Sequence, residues 1–250
     1  MALPDLLARW PLREEQSPST ELRLLACSDL DVLLVDETAL ERPPYWAVIW
    51  PAAVALAEWI AAEGRTRLRG RRVLEIGCGA GLTGLMAARW AREVVQTDLY
   101  LEACCLAREN ARRNGIANVR WFVADWQTWP LRARFDVILG TEVTYERIAM
   151  GALAAVLEAS VAPGGEVWLA DNGRPPGLAL ATTLEERGRL VSTAYCLSVL
   201  SSALLVLFVL PIAPLLATWI LSSPEDARCF RIAFVGLLAG VLVDVGQVYL

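Results

Sequence analysis

The stretch that decides the fold is "EIGCGAGLTGLMAARW", Glu75 to Trp90. Gly77, Gly79 and Gly81 alternate directly after the apolar run "VLEI" (73–76), and "LTGLMAARWA" continues with helical spacing. A side chain at any of the three glycines would hold the backbone away from a ligand or from a neighbouring helix. Two explanations are open at this point: a turn built around a nucleotide, or a close-packed bend with no ligand.

The residues downstream of that turn repeat its plan. "EVVQTD" (93–98) is expected to be a second strand, followed by the helix "YLEACCLARENARRNG", which Gly115 closes. "VRWFVAD" (119–125), "FDVILGTE" (135–142) and "GEVWLAD" (165–171) are further strand-like runs. Between the last two, "RIAMGALAAVLEASVAPGG" has the pattern of a helix with a Pro-Gly-Gly stop. Strand and helix alternate from residue 73 to about 188. This predicts an α/β sheet of parallel strands with helices on both faces, which places ligands at the C-terminal ends of the strands.

Composition narrows the chemistry. The chain has 250 residues, 23 Lys plus Arg against 28 Asp plus Glu, and no histidine. Mild acidity argues against a nucleic-acid partner. Tryptophans 121, 126, 129 and 168 lack the interleaved basic residues of a base-stacking platform. Without histidine there is no His general base and no common transition-metal site, so no metal is expected. Cysteines 27, 78, 104, 105, 196 and 229 show no CxxC spacing, which suggests small buried hydrophobes in a reducing compartment. The N-terminus meets acidic residues before any long apolar run, unlike a secretory signal.

Three strand ends fit one nucleotide-like ligand. Asp98 ends the second strand, 17 residues after Gly81, where a carboxylate can accept from both hydroxyls of a ribose. Asp125 ends the third and can accept from an adenine amino group, with Trp126 beside the ring. Glu75 stands just before the turn. A carboxylate so placed repels a pyrophosphate and attracts a cationic amino group, which favours a nucleoside carrying an amino acid over NAD.

"VLEIGCGAGLTGL", the strand-end Asp98 and "VADW" resemble the cofactor-binding motifs of the class I S-adenosylmethionine-dependent methyltransferases, a Rossmann-like fold. "PYWAVIWPAAVALAEWI" (44–60) and "EVTY" (142–145) narrow the resemblance to the protein-lysine methyltransferase subfamily. That subfamily includes the enzyme for the electron-transfer flavoprotein β subunit and is often labelled nicotinamide N-methyltransferase-like. The resemblance covers roughly residues 30 to 175.

It implies that Glu75, Gly77, Gly79 and Gly81 meet the methionine part of S-adenosyl-L-methionine, that Asp98 holds its ribose, and that Asp125 and Trp126 frame adenine. It also implies Trp50 near the cofactor, and Glu142 and Tyr145 as catalytic residues beside a substrate amine. Trp46, four residues before Trp50, has the spacing to pack the same helical face. Many relatives have Asp in place of Glu142, and often Gly near Ala52 or Ala53. Methyl transfer from a sulfonium is an in-line displacement whose leaving group needs no proton, so a chain without histidine can perform it. Glu142 would orient a lysine ammonium, and Tyr145 and Trp50 would supply an aromatic wall. The expected activity is N-methylation of a protein lysine. A small-molecule methyltransferase and an inactive membrane-attached nucleotide-binding protein are the alternatives.

Composition changes sharply at about residue 190, which divides a soluble domain (1–189) from an apolar region (190–250). Leu190 to Leu221 carries no charge over 32 residues, more than the roughly 20 that cross a bilayer. Ile232 to Leu250 adds 19 residues, among them Asp244. A two-helix membrane hairpin is preferred, replacing the terminal strands of the sheet. Arg187 and Arg189 would keep the catalytic domain cytoplasmic. Alternatively, "LVSTAYCLSV" and "SALLVLFVL" form terminal strands and the rest a cap or dimer surface.

Overall fold

The computed structural model describes residues 5–16, 20–28, 33, 43–145, 147–172, 176–177, 179–180, 193–194 and 247–249. Helices are α1 (Asp5–Ala8), α2 (Pro51–Arg67), α3 (Leu82–Ala87), α4 (Leu101–Arg113) and α5 (Met150–Ser160). Strands are β1 (Arg13–Gln16), β2 (Arg23–Ala26), β3 (Arg72–Ile76), β4 (Glu93–Asp98), β5 (Val119–Val123), β6 (Phe135–Thr141), β7 (Val161–Asp171), β8 (Thr193–Ala194) and β9 (Gln247–Tyr249).

The main sheet has the order β5-β4-β3-β6-β7-β9-β8. Its first five strands are mutually parallel, and β9 runs antiparallel to both β7 and β8. The order reverses between β3 and β6, and a crevice opens beyond the strand ends there. This is the Rossmann-like methyltransferase sheet that the motifs implied.

Alternation along each central strand feeds two cores. Val73, Val94, Val137, Leu139 and Trp168 point to one face, where they pack with Leu56 and Ile60 of α2 and Leu85 and Met86 of α3. Leu74, Ile76, Val95, Ile138 and Leu169 point to the other, against Leu153 and Leu157 of α5. Both faces are therefore covered, which is why these strands read as continuous apolar runs.

Three local expectations change. The Pro-Gly-Gly segment does not stop α5 before a separate strand. β7 runs from Val161 through Pro163, Gly164 and Gly165, with a register shift between Phe135 and Val137 of its neighbour. Gly164 at φ 74° lets the chain bulge and still pair on both sides. Trp46 and Trp50 do not share a helical face: Tyr45–Ala47 is a 3-10 turn, and α2 begins at Pro51. Pro51 at the first helical position gives up no hydrogen bond and sets the start. In the apolar tail, Thr193–Ala194 and Gln247–Tyr249 are strand rather than helix. The remainder of the expected hairpin, and most of the expected helix at 175–188, lie outside the described residues.

Among the described residues one helical stretch, 45–67, is long and apolar enough to cross a membrane by length and composition. Ala52, Leu56, Ala57 and Ile60 of that stretch are buried against the sheet. Cys27, Cys78 and Cys104 are buried free thiols and Cys105 is half-buried, in keeping with their expected packing role.

An N-terminal hairpin, β1 with β2, was not evident in the sequence. Two asparagines one helical turn apart, Asn110 on α4 and Asn114 capping its C-terminal end, hold it. Asn110 accepts from the Leu25 N–H (2.7 Å) and donates to the carbonyls of Leu25 (3.0 Å) and Ala80 (2.9 Å). Asn114 accepts from the Arg23 N–H (3.0 Å) and donates to its carbonyl (2.7 Å). The pair mimics a neighbouring strand, and Asn110 also ties the hairpin to the glycine-rich turn. Replacing Asn110 by Ala leaves three buried backbone groups without their partner. The expected cost is about 3 kcal/mol in urea denaturation. Asn114→Ala, at the more exposed end, is expected to cost about 1 kcal/mol.

Candidate functional site

The turn after β3 sits over a buried polar ladder. Glu75, Gln96 and Trp121 are register neighbours on β3, β4 and β5. The Trp121 indole N–H donates to Gln96 Oε1 (2.7 Å), and Gln96 Nε2 donates to Glu75 Oε2 (2.6 Å) and to the Gly81 carbonyl (3.0 Å). Glu75 Oε2 also accepts from the Gly84 N–H (3.1 Å) in the first turn of α3. The N-cap of α3 is Gly81, which has no side chain to offer. Glu75 therefore satisfies from below a helix-end donor that a capping side chain would otherwise take.

Above the ladder the turn is tightly constrained. Gly77, Gly79 and Gly81 have φ of 65°, 49° and 90°. A Cβ on Gly79 would stand 3.1 Å from the Trp46 carbonyl oxygen, and one on Gly81 only 2.8 Å from Ala107 Cβ of α4. The glycines are thus required by close packing as well as by backbone angle, and the same turn forms a wall of the crevice.

That crevice has a volume of about 320 Å³, within the roughly 300–1,000 Å³ of small-molecule sites. Nine of the ten residues expected from sequence line it: Gly77, Gly79, Gly81, Trp50, Asp98, Asp125, Trp126, Glu142 and Tyr145. Glu75 is the exception. It is buried beneath the turn with its carboxylate committed to Gly84 and Gln96, because alternation from Val73 and Leu74 turns residue 75 toward α3 rather than into the crevice.

The lining side chains are held as follows. Asp98 ends β4. Its Oδ2 accepts from the Gly79 N–H and its Oδ1 from the Tyr100 N–H, both at 3.0 Å. Burial raises its carboxyl above the ordinary value, against the pull of the Gly79, Tyr100 and Leu99 amides. Asp125 accepts from the Gln127 N–H (2.8 Å) and caps the 3-10 turn that carries Trp126. Trp50 donates its indole N–H to the Tyr45 carbonyl (3.1 Å) and meets the Tyr45 ring edge-on, with centroids 5.8 Å apart. Glu142 follows β6 in a left-handed conformation, φ 54°, rare for a residue with a side chain. Tyr145 is 52% exposed at the rim.

Asp98, Asp125 and Glu142 are the only charged residues among the described lining residues, so the cavity is suited to a cation. Among these described residues a pyrophosphate would face three carboxylates and no arginine. Among the described residues no group of His, Cys, Asp or Glu is arranged to hold a metal ion. Sequence reasoning missed Tyr45, which lines the crevice and braces Trp50, and Gln96, the central rung of the ladder. Gln96 is a polar residue inside an apolar strand, but its partners follow only from the inter-strand register.

Burial pushes the Glu75 carboxyl up from 4.5 to about 8, opposed by the donors Gln96 and Gly84 and reinforced by the charge of Asp98. The folded protein therefore keeps a proton that the unfolded chain releases at about pH 4.5. Stability from this group is complete below pH 4.5 and is lost as pH rises toward 8. Glu75→Gln preserves the acceptor and is expected to flatten that decline. Urea midpoints from pH 5 to 8 check this, and an unchanged slope overturns it.

Residues 32–176 match the lysine methyltransferase family. The chain is 32% identical over 146 residues to ribosomal protein L11 methyltransferase of Pseudomonas putida, covering 58% of this chain and 44% of that protein. It is 33% identical over 104 residues to the histone-arginine methyltransferase METTL23 of Homo sapiens (39% of this chain, 54% of that protein). It is 28% identical over 139 residues to EEF1A lysine methyltransferase 3 of Mus musculus (51% and 56%). The chain spans about half the length of these curated relatives. The match over residues 32–176 takes in the turn, the strand-end acids and the Glu142 loop alike, and the chain belongs to the lysine methyltransferase family.

Proposed function

We propose that the protein is an S-adenosylmethionine-dependent N-methyltransferase acting on a lysine of a protein. The observation that carries this is the crevice itself, whose charged lining residues are three carboxylates at successive strand ends. Family membership and relatives named for protein methylation support it. When bound, S-adenosylmethionine supplies a methyl group on a sulfonium, whose departure as a thioether needs no acid.

The chain's own residues bind and orient. The backbone of Gly77 to Gly81 admits the amino-acid portion, Asp98 accepts from ribose hydroxyls, and Asp125 with Trp126 frames adenine. Glu142 attracts and aligns the substrate ammonium, and Trp50, Tyr45 and Tyr145 exclude water and add cation–π attraction. The amine loses its proton to solvent at the rim, without a dedicated base. Tyr145, which lines the crevice and is 52% exposed, puts that rim at the surface, which favours a protein acceptor over a small enclosed one. A guanidinium offers five donors in a plane. Among the described lining residues Glu142 is the one carboxylate outside the β4 and β5 ends assigned to the nucleoside, which favours lysine over arginine.

All 23 basic residues of the chain are arginine, so a lysine-specific enzyme has no acceptor side chain of its own. Tritium from labelled cofactor is expected on added poly-L-lysine and not on the enzyme. Label recovered as methylarginine in the enzyme would favour arginine as acceptor. Titration calorimetry is expected to give one-site binding of S-adenosylmethionine and none of NAD. Asp98→Asn should weaken binding at least tenfold, since charged acceptors give the stronger hydrogen bonds. Folded protein that ignores the sulfonium ligand overturns the proposal. Glu142→Gln is expected to lower kcat/KM for poly-L-lysine about 100-fold, the scale of one charged contact in a water-poor site.

We also propose that the apolar region, residues 190–250, attaches this cytoplasmic domain to a membrane. β8 pairs antiparallel with β9, Ala194 opposite Val248, so the two described ends of this region meet at one place on the sheet. Alkaline carbonate is expected to leave the full chain in the membrane fraction; release into the supernatant overturns the attachment.

A further inference from the structure

The acid–x–x–aromatic loop that carries Glu142 and Tyr145 is fastened to the end of β7 at two consecutive residues. The Glu142 N–H donates to the Ala170 carbonyl at 2.9 Å. Two residues on, the Thr144 hydroxyl donates to Asp171 Oδ2. Thr144 and Asp171 are each 1% exposed, and neither lines the crevice. A third segment closes over the pair: a Cβ on Gly177 would stand 2.9 Å from Thr144 Oγ1 and 3.5 Å from Asp171 Oδ1.

Between these fastenings Glu142 keeps its left-handed backbone, a state that costs on the order of 1–3 kcal/mol and persists only where neighbours enforce it. If residue 142 relaxed to an ordinary φ, its carboxylate would leave the crevice wall. A buried threonine hydroxyl donating to a buried carboxylate is a strong local restraint, because a charged acceptor gives the stronger hydrogen bond.

We propose that Thr144 and Asp171 form a latch that positions the Glu142 carboxylate at the methyl-transfer end of the crevice, and so set the preference for a cationic acceptor. They are positioning residues acting through Glu142. The proposal rests on the methyltransferase assignment, and its test separates the two.

The probes are S-adenosylhomocysteine, neutral at sulfur, and sinefungin, which carries a primary ammonium where the methyl-sulfonium stands. The ratio of their affinities at pH 7 reads the negative charge presented at that point. Wild-type protein is expected to prefer sinefungin about tenfold or more, and Glu142→Gln to abolish the preference. Thr144→Val should lower the ratio toward that of Glu142→Gln, and Thr144→Ser should restore it. In the Glu142→Gln background Thr144→Val should cause no further change in the ratio.

Gly177→Ala displaces the hydroxyl from the opposite side and should act like Thr144→Val, so the test does not depend on one variant folding. A wild-type ratio in folded Thr144→Val or Gly177→Ala overturns the latch, as does additivity with Glu142→Gln. Unfolding of both variants overturns it as well, by reducing the contact to a structural one. If wild-type protein binds neither probe, the methyltransferase assignment itself falls.

Discussion

A glycine-rich turn pressed between a helix and a carbonyl is the constraint on which the rest depends. Gly79 lies against the Trp46 backbone and Gly81 against Ala107, with all three glycines of the turn at positive φ. No side chain fits there, so the turn cannot cap the helix it begins. Glu75 does so from the strand below, at the cost of burying a carboxyl group. That burial calls in Gln96, and Gln96 in turn takes the Trp121 indole. One packing requirement thus links three strands and two helices beneath the crevice.

The crevice follows from the same arrangement. Parallel strands that end together place Asp98, Asp125 and Glu142 around one opening, and the reversal of strand order keeps helices from covering it. Each acid is fixed differently. Asp98 is tied to the turn it faces, Asp125 caps its own 3-10 turn, and Glu142 is carried on a strained residue fastened to β7. Asp98 and Asp125 are held by local backbone donors. The acid assigned to the acceptor is held by a contact across the sheet, which makes its placement the most dependent on distant residues.

Much of this was legible in the sequence for a physical reason: strand ends and glycine turns are local features. "EVVQTD" predicted β4 to the residue, and the acids that follow strands came out lining one cavity. Glu75 shows the limit. It belongs to the motif, yet alternation in β3 turns its side chain to the helix face, where register with β4 supplies its partner. The Pro-Gly-Gly segment failed as a strand boundary because pairing with β6 overrode local propensity and absorbed the extra residues as a bulge. Trp46 and Trp50 have helical spacing, but Pro51 fixes the helix start beyond them.

The sequence by itself determined the alternation of strands and helices, the glycine turn, the acidic strand ends and the absence of histidine chemistry. These depend on hydrophobic period and on residue type, which neighbours in the chain express. Only the tertiary structure decided that Glu75 lies beneath the crevice, that Asn110 and Asn114 hold an N-terminal hairpin, that Tyr45 braces Trp50, and that Asp171 reaches Thr144. Each of these is a hydrogen bond or ring contact whose existence depends on register and side-chain direction, and those are set when the layers pack.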